Sequence, residues 1–329
     1  MTTILAGANW TMWPELTSSN ISSESDSDAV RDHARIAYAL TTSTSYTREI
    51  DETMSGWLGV IVKPATSFFT SAINGYFLEA IDADGNTLFG IRRGDSGGDG
   101  NHTTEVDAPF LSNSILVADS GEPLFEVSIR FTIAENGEFA AFSDGTQVGS
   151  FNGDTRGSAG GVVGFRISKN STSSPSERNT LISEFLLSTQ NTIGFKVVDT
   201  ELSVASLSQW DGTPSNITPV GYASTEDSLS TGDADQLVTF SRPDIPALGD
   251  DDLVASVHFE TSQLADSGAP APEADLLVYD GSEHGAERIQ PGTSFSEFRV
   301  KWDQDPRTNE PWTEAGVNEI EVGVASRTA

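Results

Sequence analysis

Acidic side chains are the groups in this chain that could do chemistry most readily, because 49 of its 329 residues are aspartate or glutamate. Two carboxylates on one strand face, about 5–5.5 Å apart, can supply the acid and the nucleophile of a retaining glycoside hydrolase. The stretch Glu49-Ile50-Asp51-Glu52-Thr53-Met54 comes nearest to the strand pattern of such enzymes. It has methionine where the last acid is needed, and Ser55 is not an acid either. Glycoside hydrolysis is therefore the third of three functional hypotheses.

Two short acidic loops are the candidates for binding a cation. Asp82 and Asp84 lie two residues apart, and Asp95 and Asp99 lie in a glycine-rich stretch. Closely spaced carboxylate oxygens are the ligands that calcium prefers, but neither loop has the terminal glutamate of a complete calcium loop. The first loop is equally typical of a hairpin connection. The sequence therefore predicts no required cofactor and leaves calcium at these four residues as an alternative.

Other reactive groups are scarce. The chain has no cysteine, and its four histidines do not fall at metal-ligand spacing. It has no G-x-S-x-G nucleophile elbow, and its glycine-rich stretch is acidic and would repel phosphate. No cluster of lysine and arginine offers a nucleic-acid surface, and no run of 18 apolar residues offers a membrane span. We therefore expect no enzymatic activity, no nucleic-acid partner and no membrane partner.

The charge of the chain indicates where it works. Its formal net charge is −31, its acids are spread along the whole length, and only four of its 18 basic residues are lysines. Such a surface repels itself in dilute buffer, whereas at about 1 M salt the Debye length falls to about 3 Å and the repulsion largely disappears. A hydrophobic fraction of 36% argues against an acidic disordered chain. The composition is typical of a folded protein of a high-salt environment.

The local pattern of the chain is that of β-strands. Residues 125–134 alternate apolar and polar side chains, which predicts a strand with one buried and one wet face. Asn136-Gly137 and Asp144-Gly145 are both typical of two-residue type I′ turns, so the sequence predicts a three-stranded meander. Residues 76–81 and 87–92 form a second predicted hairpin. Strands about 8–12 residues apart, without intervening helices, predict an antiparallel sandwich.

The predicted strand and loop lengths change after residue 190. The strands become shorter, and the loops between them become longer and rich in Asp, Gly, Pro and Ser. A length of 329 residues also suggests two domains. We therefore predict an all-β protein with two antiparallel β-sandwich domains, at residues 1–190 and 191–329.

Several strand sequences carry a resemblance to a known family. They are the meander FEVSIRFTIAENGEFAAFSDGTQVGSF, the strands GGVVGFRISKN and LISEFLLSTQ, the segment Trp210-Asp211-Gly212, and the stretch from Asp305-Pro306-Arg307 through Trp312-Thr313 to the last strand. The first domain resembles the concanavalin A-like, laminin-G-like jelly rolls. The two later segments, at residues 210–212 and from residue 305 to the last strand, extend this resemblance. The combination is similar to virion structural proteins of tailed phages and of tailed viruses that infect halophilic archaea. No catalytic residue comes with this resemblance.

The resemblance implies the leading functional hypothesis. It is a virion structural protein of a haloarchaeal tailed virus, made in the host cytoplasm and displayed on the capsid, as a decoration or tower, or on the tail. The expected partners are other virion proteins and further copies of the chain, with a trimer favoured. The second hypothesis is a carbohydrate-binding adhesion module for the host surface layer, with Trp10, Trp13 and Trp57 as candidate glycan-binding aromatic residues.

The second domain is the predicted assembly surface. Copies of so acidic a chain must meet through patches with fewer acids. Apolar residues and arginines that could form such a patch occur between positions 295 and 324. The interface candidates among them are Phe298, Arg299, Arg307 and Pro311. Trp302 and Trp312 lie in the same stretch, and for these two we expect a place in the core of the second domain.

Overall fold

The computed structural model describes most of the chain. It covers residues 3–7, 21–24, 37–40, 45–63, 75–95, 102–118, 124–157, 160–168, 181–198, 202–206, 210–212, 229–249, 252–265, 273–294 and 296–327. The chain divides into two compact units, Thr3–Asp199 and Thr200–Ala329. Both units are built from antiparallel strands, and among the described residues there is one short helix. The predicted all-β fold is therefore confirmed.

The described residues of the first unit form fourteen strands. They are β1 (Thr3–Gly7), β2 (Ile21–Glu24), β3 (Ala37–Leu40), β4 (Tyr46–Thr53), β5 (Ser55–Lys63), β6 (Gly75–Ile81), β7 (Thr87–Asp95), β8 (His102–Asp107), β9 (Ile115–Ala118), β10 (Phe125–Thr132), β11 (Gly137–Ser143), β12 (Thr146–Gly153), β13 (Val162–Ile167) and β14 (Leu181–Ser188). One sheet has the order β12-β11-β10-β5-β14-β3-β2, with β1 also paired to β14, and the other has the order β4-β13-β6-β7-β8-β9.

Aromatic pairs join the two sheets into a jelly-roll sandwich. Phe89 of one sheet lies 5.0 Å from Phe131 of the other, measured between ring centroids. That pair is tilted by 42°, whereas Phe165 and Phe185 form an edge-to-face pair across the sheets at 5.1 Å. All four rings are buried, and such tilted pairs add about 0.5–1.5 kcal/mol beyond the burial of their area. These phenylalanines occupy the inner positions of their strands, as the alternating pattern requires.

The two predicted tight turns of the meander differ in the structure. Asp144 and Gly145 both have positive φ, at 42° and 77°, as a type I′ turn requires. The other predicted turn is wrong, because residues 133–136 connect the strands and Gly137 already begins β11. Gly137 is glycine for a different reason: a Cβ there would collide with the Thr155 hydroxyl oxygen. The close approach of Thr155 to the backbone of Gly137 therefore explains the glycine at this position.

The strand at 125–134 also lacks the predicted wet face. Residues 191–198 lie over the outer face of the larger sheet, where Gly194 N donates to both carboxylate oxygens of Glu126, at 3.1 and 3.0 Å. Val197 N donates to Glu184 Oε2 at 2.7 Å. Both glutamates are therefore buried, at 4% and 2% exposure. Because this segment packs on the first unit, the chain divides after Asp199 and the segment belongs to the sandwich.

The second unit is a smaller arrangement of two sheets. Its strands are β15 (Ser203–Ser206), β16 (Leu237–Ser241), β17 (Val257–Gln263), β18 (Glu273–Tyr279), β19 (Glu283–Ile289), β20 (Ser296–Trp302) and β21 (Glu321–Arg327), and its helix is α1 (Glu314–Asn318). Five strands form a sheet in the order β15-β16-β21-β18-β19, and β17 pairs with β20. Apolar side chains of both sheets share one core, which includes Trp302 and Trp312.

Candidate functional site

The outer face of the six-stranded sheet carries a connected set of polar side chains, which we call the polar face: Tyr76, Glu79, Arg92, Glu105, Asp107 and Arg166. Strand register places them together. Arg166, Glu79, Gly90 and Asp107 are successive partners across β13, β6, β7 and β8. Tyr76, Arg92, Glu105 and Leu116 form the neighbouring row. Residues that are paired directly across strands share a sheet face, so two parallel rows of side chains line this surface.

The first row owes its shape to Gly90. A Cβ at Gly90 would stand 2.7 Å from Cδ1 of Tyr76, so the absence of a side chain lets the tyrosine ring lie across the strand. The ring reaches far enough for its hydroxyl to donate to Asp107 Oδ2 at 3.0 Å. Burial, together with the charge of Asp107, raises the pKa of the Tyr76 phenol. The phenol therefore stays protonated and acts as a hydrogen-bond donor.

Arg92 links the two rows. Its Nη1 lies 3.0 Å from Asp107 Oδ2, and its Nη2 lies 3.1 Å from Glu105 Oε2. Burial alone would raise the pKa of Glu105, but hydrogen bonds from Ser114 and Thr103 and the nearby Arg92 outweigh it and lower that pKa. Glu105 is therefore held ionised. A general acid of a glycoside hydrolase needs the opposite shift.

Arg166 and Glu79 form the other end of the polar face. The guanidinium donates through Nε and Nη2 to the two carboxylate oxygens, at 2.8 and 3.0 Å. Thr87 Oγ1 also donates to Glu79, at 2.6 Å. This bidentate pair raises the pKa of Arg166 and fixes the planes of both groups. The polar face is therefore a rigid array of donors and acceptors with limited rotational freedom.

The face remains partly accessible. The side chains of Arg92 and Arg166 are 28% and 27% exposed, and Leu116 is 48% exposed at the end of its row. A ligand on this surface would meet guanidinium edges, carboxylate oxygens, a tyrosine ring and one apolar side chain. The surface therefore offers donors, acceptors and an apolar contact side by side.

The hydrolase pattern at 49–54 lies elsewhere, on and just after the edge strand β4. Glu49 and Asp51 are exposed. Glu52 accepts a hydrogen bond from Gly161 N at 2.8 Å. This bond holds the residue just before β13 against β4, the strand with which β13 pairs. Register places Glu49 on the same side of the sheet as Arg166, opposite Gly164, but on the edge strand. The residues of the predicted pattern therefore lie at the sheet edge and are not members of the polar face.

Of the four calcium candidates, the structure describes the side chains of Asp82 and Asp84. Asp82 is 1% exposed, and its Oδ1 accepts from the backbone N–H of Asp84 and Asn86 at 3.0 and 2.8 Å. The carboxylate thus closes the hairpin turn, which needs no cation, while Asp84 is exposed. Asp95 is the last residue of β7, and Asp99 lies outside the described residues. Within the described ranges, no group of three or more potential metal-ligating side chains comes together.

A serine and a histidine of the second unit stand at catalytic distance. Ser256 Oγ lies 2.8 Å from His258 Nε2. Burial, followed by the charges of Arg299 and Lys301, lowers the pKa of His258 to about 3. A base that weak cannot activate a serine efficiently near neutral pH. The direction of this shift argues against the pair as a nucleophile and its base.

The interface candidates are mostly occupied within their own unit. Phe298 packs against the core, and Arg299 forms an ion pair with Glu260. Arg307 clamps Asp305 through Nε and Nη2, at 3.0 and 2.6 Å to Oδ1 and Oδ2, and also donates to Gly316 O. Of the four, only Pro311 is exposed. Trp302 and Trp312 are buried, as expected.

The candidate glycan aromatics divide similarly. Trp57 lies 5.4 Å from the Phe142 ring, and the Arg130 guanidinium covers it at 5.8 Å. Its ring is therefore already in contact with two neighbours. Trp10 and Trp13 lie outside the described residues. Sequence reasoning missed the polar face itself, although the hairpin that carries Tyr76, Glu79 and Arg92 was predicted.

Known proteins resemble this chain in structure at low sequence identity. No family model matches the chain, and no curated protein matches it in sequence. Similar solved structures include an endo-beta-1,4-glucuronan lyase from Trichoderma reesei, with a TM-score of 0.40 and 13% identity over 58% of this chain and 98% of the lyase. A SAP-like pentraxin from Limulus polyphemus has a TM-score of 0.31 and 13% identity over 42% of this chain and 66% of the pentraxin. A tetrameric galectin from Cinachyrella sp. has a TM-score of 0.30 and 16% identity over 43% of this chain and 99% of the galectin.

These similarities are too distant to carry an argument about activity or ligand. No helix among the described residues is long and apolar enough to cross a membrane.

Proposed function

We propose that this protein is a non-catalytic carbohydrate-binding protein and that the polar face is its glycan site. The observation that carries the proposal is the Tyr76–Asp107–Arg92–Glu105 chain of contacts on an accessible sheet face. Planar side chains held in place by one another can donate to and accept from sugar hydroxyls without first losing rotamer entropy. The Tyr76 ring and Leu116 offer surfaces for the apolar face of a sugar ring.

The protonation states favour binding over catalysis. Tyr76 stays protonated and Glu105 stays ionised, because their pKa values are shifted away from neutrality. A catalytic acid–base pair needs at least one group whose pKa lies near the working pH. A surface with fixed donors and fixed acceptors instead holds hydroxyl groups in a constant pattern.

The charges of the polar face favour a neutral glycan. Both guanidiniums are already neutralised, Arg92 by Glu105 and Asp107 and Arg166 by Glu79. Three carboxylates against two guanidiniums leave the surface negative. A uronate or sulfate would therefore be repelled. We infer that the ligand is a hydroxyl-rich, uncharged oligosaccharide.

A glycan array probed with the full chain at about 1 M salt tests this function. We expect retention on a set of neutral oligosaccharides and none on polyuronates. If retained glycans are all acidic, the inferred ligand class is wrong. If no glycan of either class is retained, the proposed function is wrong.

The role on a virus particle stays a prediction of the sequence, together with its capsid or tail location and its virion partners. Glycan binding is compatible with it, since a displayed adhesion protein would meet host surface sugars. Mass spectrometry of purified haloarchaeal virions tests that prediction separately. Detection of this chain in purified particles of a virus that encodes it would support the prediction. Its absence from those particles would contradict the prediction.

A further inference from the structure

Strand β12 has an unusual character among the sheet edges of the first unit. It is eight residues long, Thr146–Gly153, and forms the end of the eight-stranded sheet. Its sequence, TQVGSFNG, contains no charged residue and no proline. Thr146, Gln147, Val148, Ser150 and Asn152 are all exposed. It is therefore a long, accessible and uncharged edge.

The other edge strands that the structure describes are protected. The edge strand β4 carries Arg48, Glu49, Asp51 and Glu52, and β19 carries Glu283, His284, Glu287 and Arg288. Both strands of the two-stranded sheet contain charged residues. The remaining edges, β1, β2, β9 and β15, are only four or five residues long. Charge and shortness are the usual means by which proteins prevent edge-to-edge pairing, and β12 has neither.

A ring contact and a regular register define the part of this edge that could pair. The ring of Phe151, on the inner face of the strand, lies 5.1 Å from that of Phe110. From Gly149 to Gly153 the register with β11 is regular. A bulge at Val148 interrupts the ladder, which confines the regular edge to those five residues. Among the described parts of the chain, no strand pairs with the outward N–H and C=O groups of these five residues, so they are available to another strand.

The net charge of the chain restricts where two copies of it can make contact. Two copies of a chain with net charge −31 repel each other over most of their surfaces. Contact between copies therefore needs a surface without acids, together with backbone hydrogen bonds that do not depend on charge. Antiparallel pairing of two identical strands also satisfies the symmetry of an isologous dimer.

We propose that β12 pairs with β12 of a second copy of this chain, forming one continuous antiparallel sheet across a two-fold axis. This surface lies in the first unit, in contrast to the assembly surface predicted from the sequence. The polar face belongs to the other sheet, so pairing along β12 does not use its residues. The inference does not depend on the proposed glycan binding.

Analytical ultracentrifugation of the full chain at about 1 M salt tests the pairing. We expect a reversible dimer in the wild type and a weakening of dimerisation by at least about tenfold in the double variant Ser150→Lys, Asn152→Lys. Two added lysines reduce the net negative charge of each copy and so weaken the general repulsion between copies. That effect alone would strengthen dimerisation. The matched control, Ala205→Lys with Ser206→Lys on the short edge β15, should dimerise like the wild type.

A measurement without variants keeps the proposal open to refutation if the lysine variant does not fold. Hydrogen exchange of the wild type at low and high protein concentration should show increased protection confined to residues 149–153 within the first unit. A wild type that is monomeric at all concentrations, a lysine variant that dimerises as strongly as the wild type, or concentration-dependent protection elsewhere but not at β12 would each overturn the inference.

Discussion

The ring of Phe195 lies directly over the backbone of Gly59. A Cβ at Gly59 would stand 2.6 Å from Cε1 of Phe195, so only glycine lets the ring settle on β5. Phe195 is buried against Ile61 and Leu186 on the outer face of the larger sheet. This contact, with the hydrogen bonds to Glu126 and Glu184, attaches residues 191–198 to the sandwich.

We expect Gly59→Ala to lower the free energy of unfolding by about 1–3 kcal/mol, because the added methyl group displaces the Phe195 ring. In a Phe195→Leu background the same substitution should cost much less, which a double-mutant cycle by urea unfolding measures. An equal cost in both backgrounds would show that the ring is not the group displaced.

A first unit that ends at Gln190 should be less stable than one that ends at Val198. The shorter chain exposes Ile61 and Leu186 and removes the backbone donors of two buried glutamates, and each lost partner costs about 1–3 kcal/mol. Thermal unfolding of the two fragments compares them directly. Equal melting temperatures would contradict the role assigned to residues 191–198.

The clamp of Arg307 on Asp305 should make stability depend on pH. Burial alone would raise the pKa of Asp305, but the hydrogen bonds and charge of Arg307 lower it from its ordinary value of 3.8. Because the folded-state pKa is the lower one, the stabilisation is present in full above about pH 3.8 and is lost as the pH falls through the folded-state pKa.

Asp305→Asn should therefore lower the free energy of unfolding by about 1–3 kcal/mol at neutral pH. It should also flatten the dependence on pH below 3.8. Urea unfolding of both proteins across this range provides the measurement, with Asp84→Asn, at an exposed turn position, as the control. A pH dependence identical to that of the wild type would show that the clamp is not the cause.

The local patterns predicted some elements and missed others for identifiable reasons. The meander strand β10 was predicted from its alternation, which is a property of adjacent residues. The sequence of β19, EHGAERI, does not predict a strand, because it is a polar edge without apolar alternation. The buried state of Glu126 could not be predicted from its own strand, because a segment 68 residues later covers it.

The polar face was missed because it depends on strand order. Arg166 and Glu79 are 87 residues apart in the chain and meet only because β13 pairs with β6. Tyr76 and Asp107 are 31 residues apart and meet across Gly90 of the intervening strand. Polar residues on the outer face of a predicted hairpin are a signal that marks such a surface, but they do not identify its other members.

The melting temperature should rise with salt. With a net charge of −31, repulsion is strong at about 0.1 M salt and largely screened at about 1 M. Calorimetry at both salt concentrations tests this, with a potassium and a sodium salt to separate screening from ion-specific effects. Equal melting temperatures at low and high salt would contradict the prediction that the protein is adapted to high salt.

The affinity of the full chain for a neutral oligosaccharide, measured by isothermal titration calorimetry, tests the central claim most directly. The ligand is the best-retained glycan of the array, and the variants are Arg92→Gln and, as the matched control, Arg156→Gln. Arg156 is half exposed and pairs with Asp154 away from the polar face. We predict that Arg92→Gln weakens binding by at least about tenfold, while Arg156→Gln binds like the wild type. Unchanged affinity in the Arg92 variant, with its fold intact, would contradict the assignment of the polar face as the glycan site.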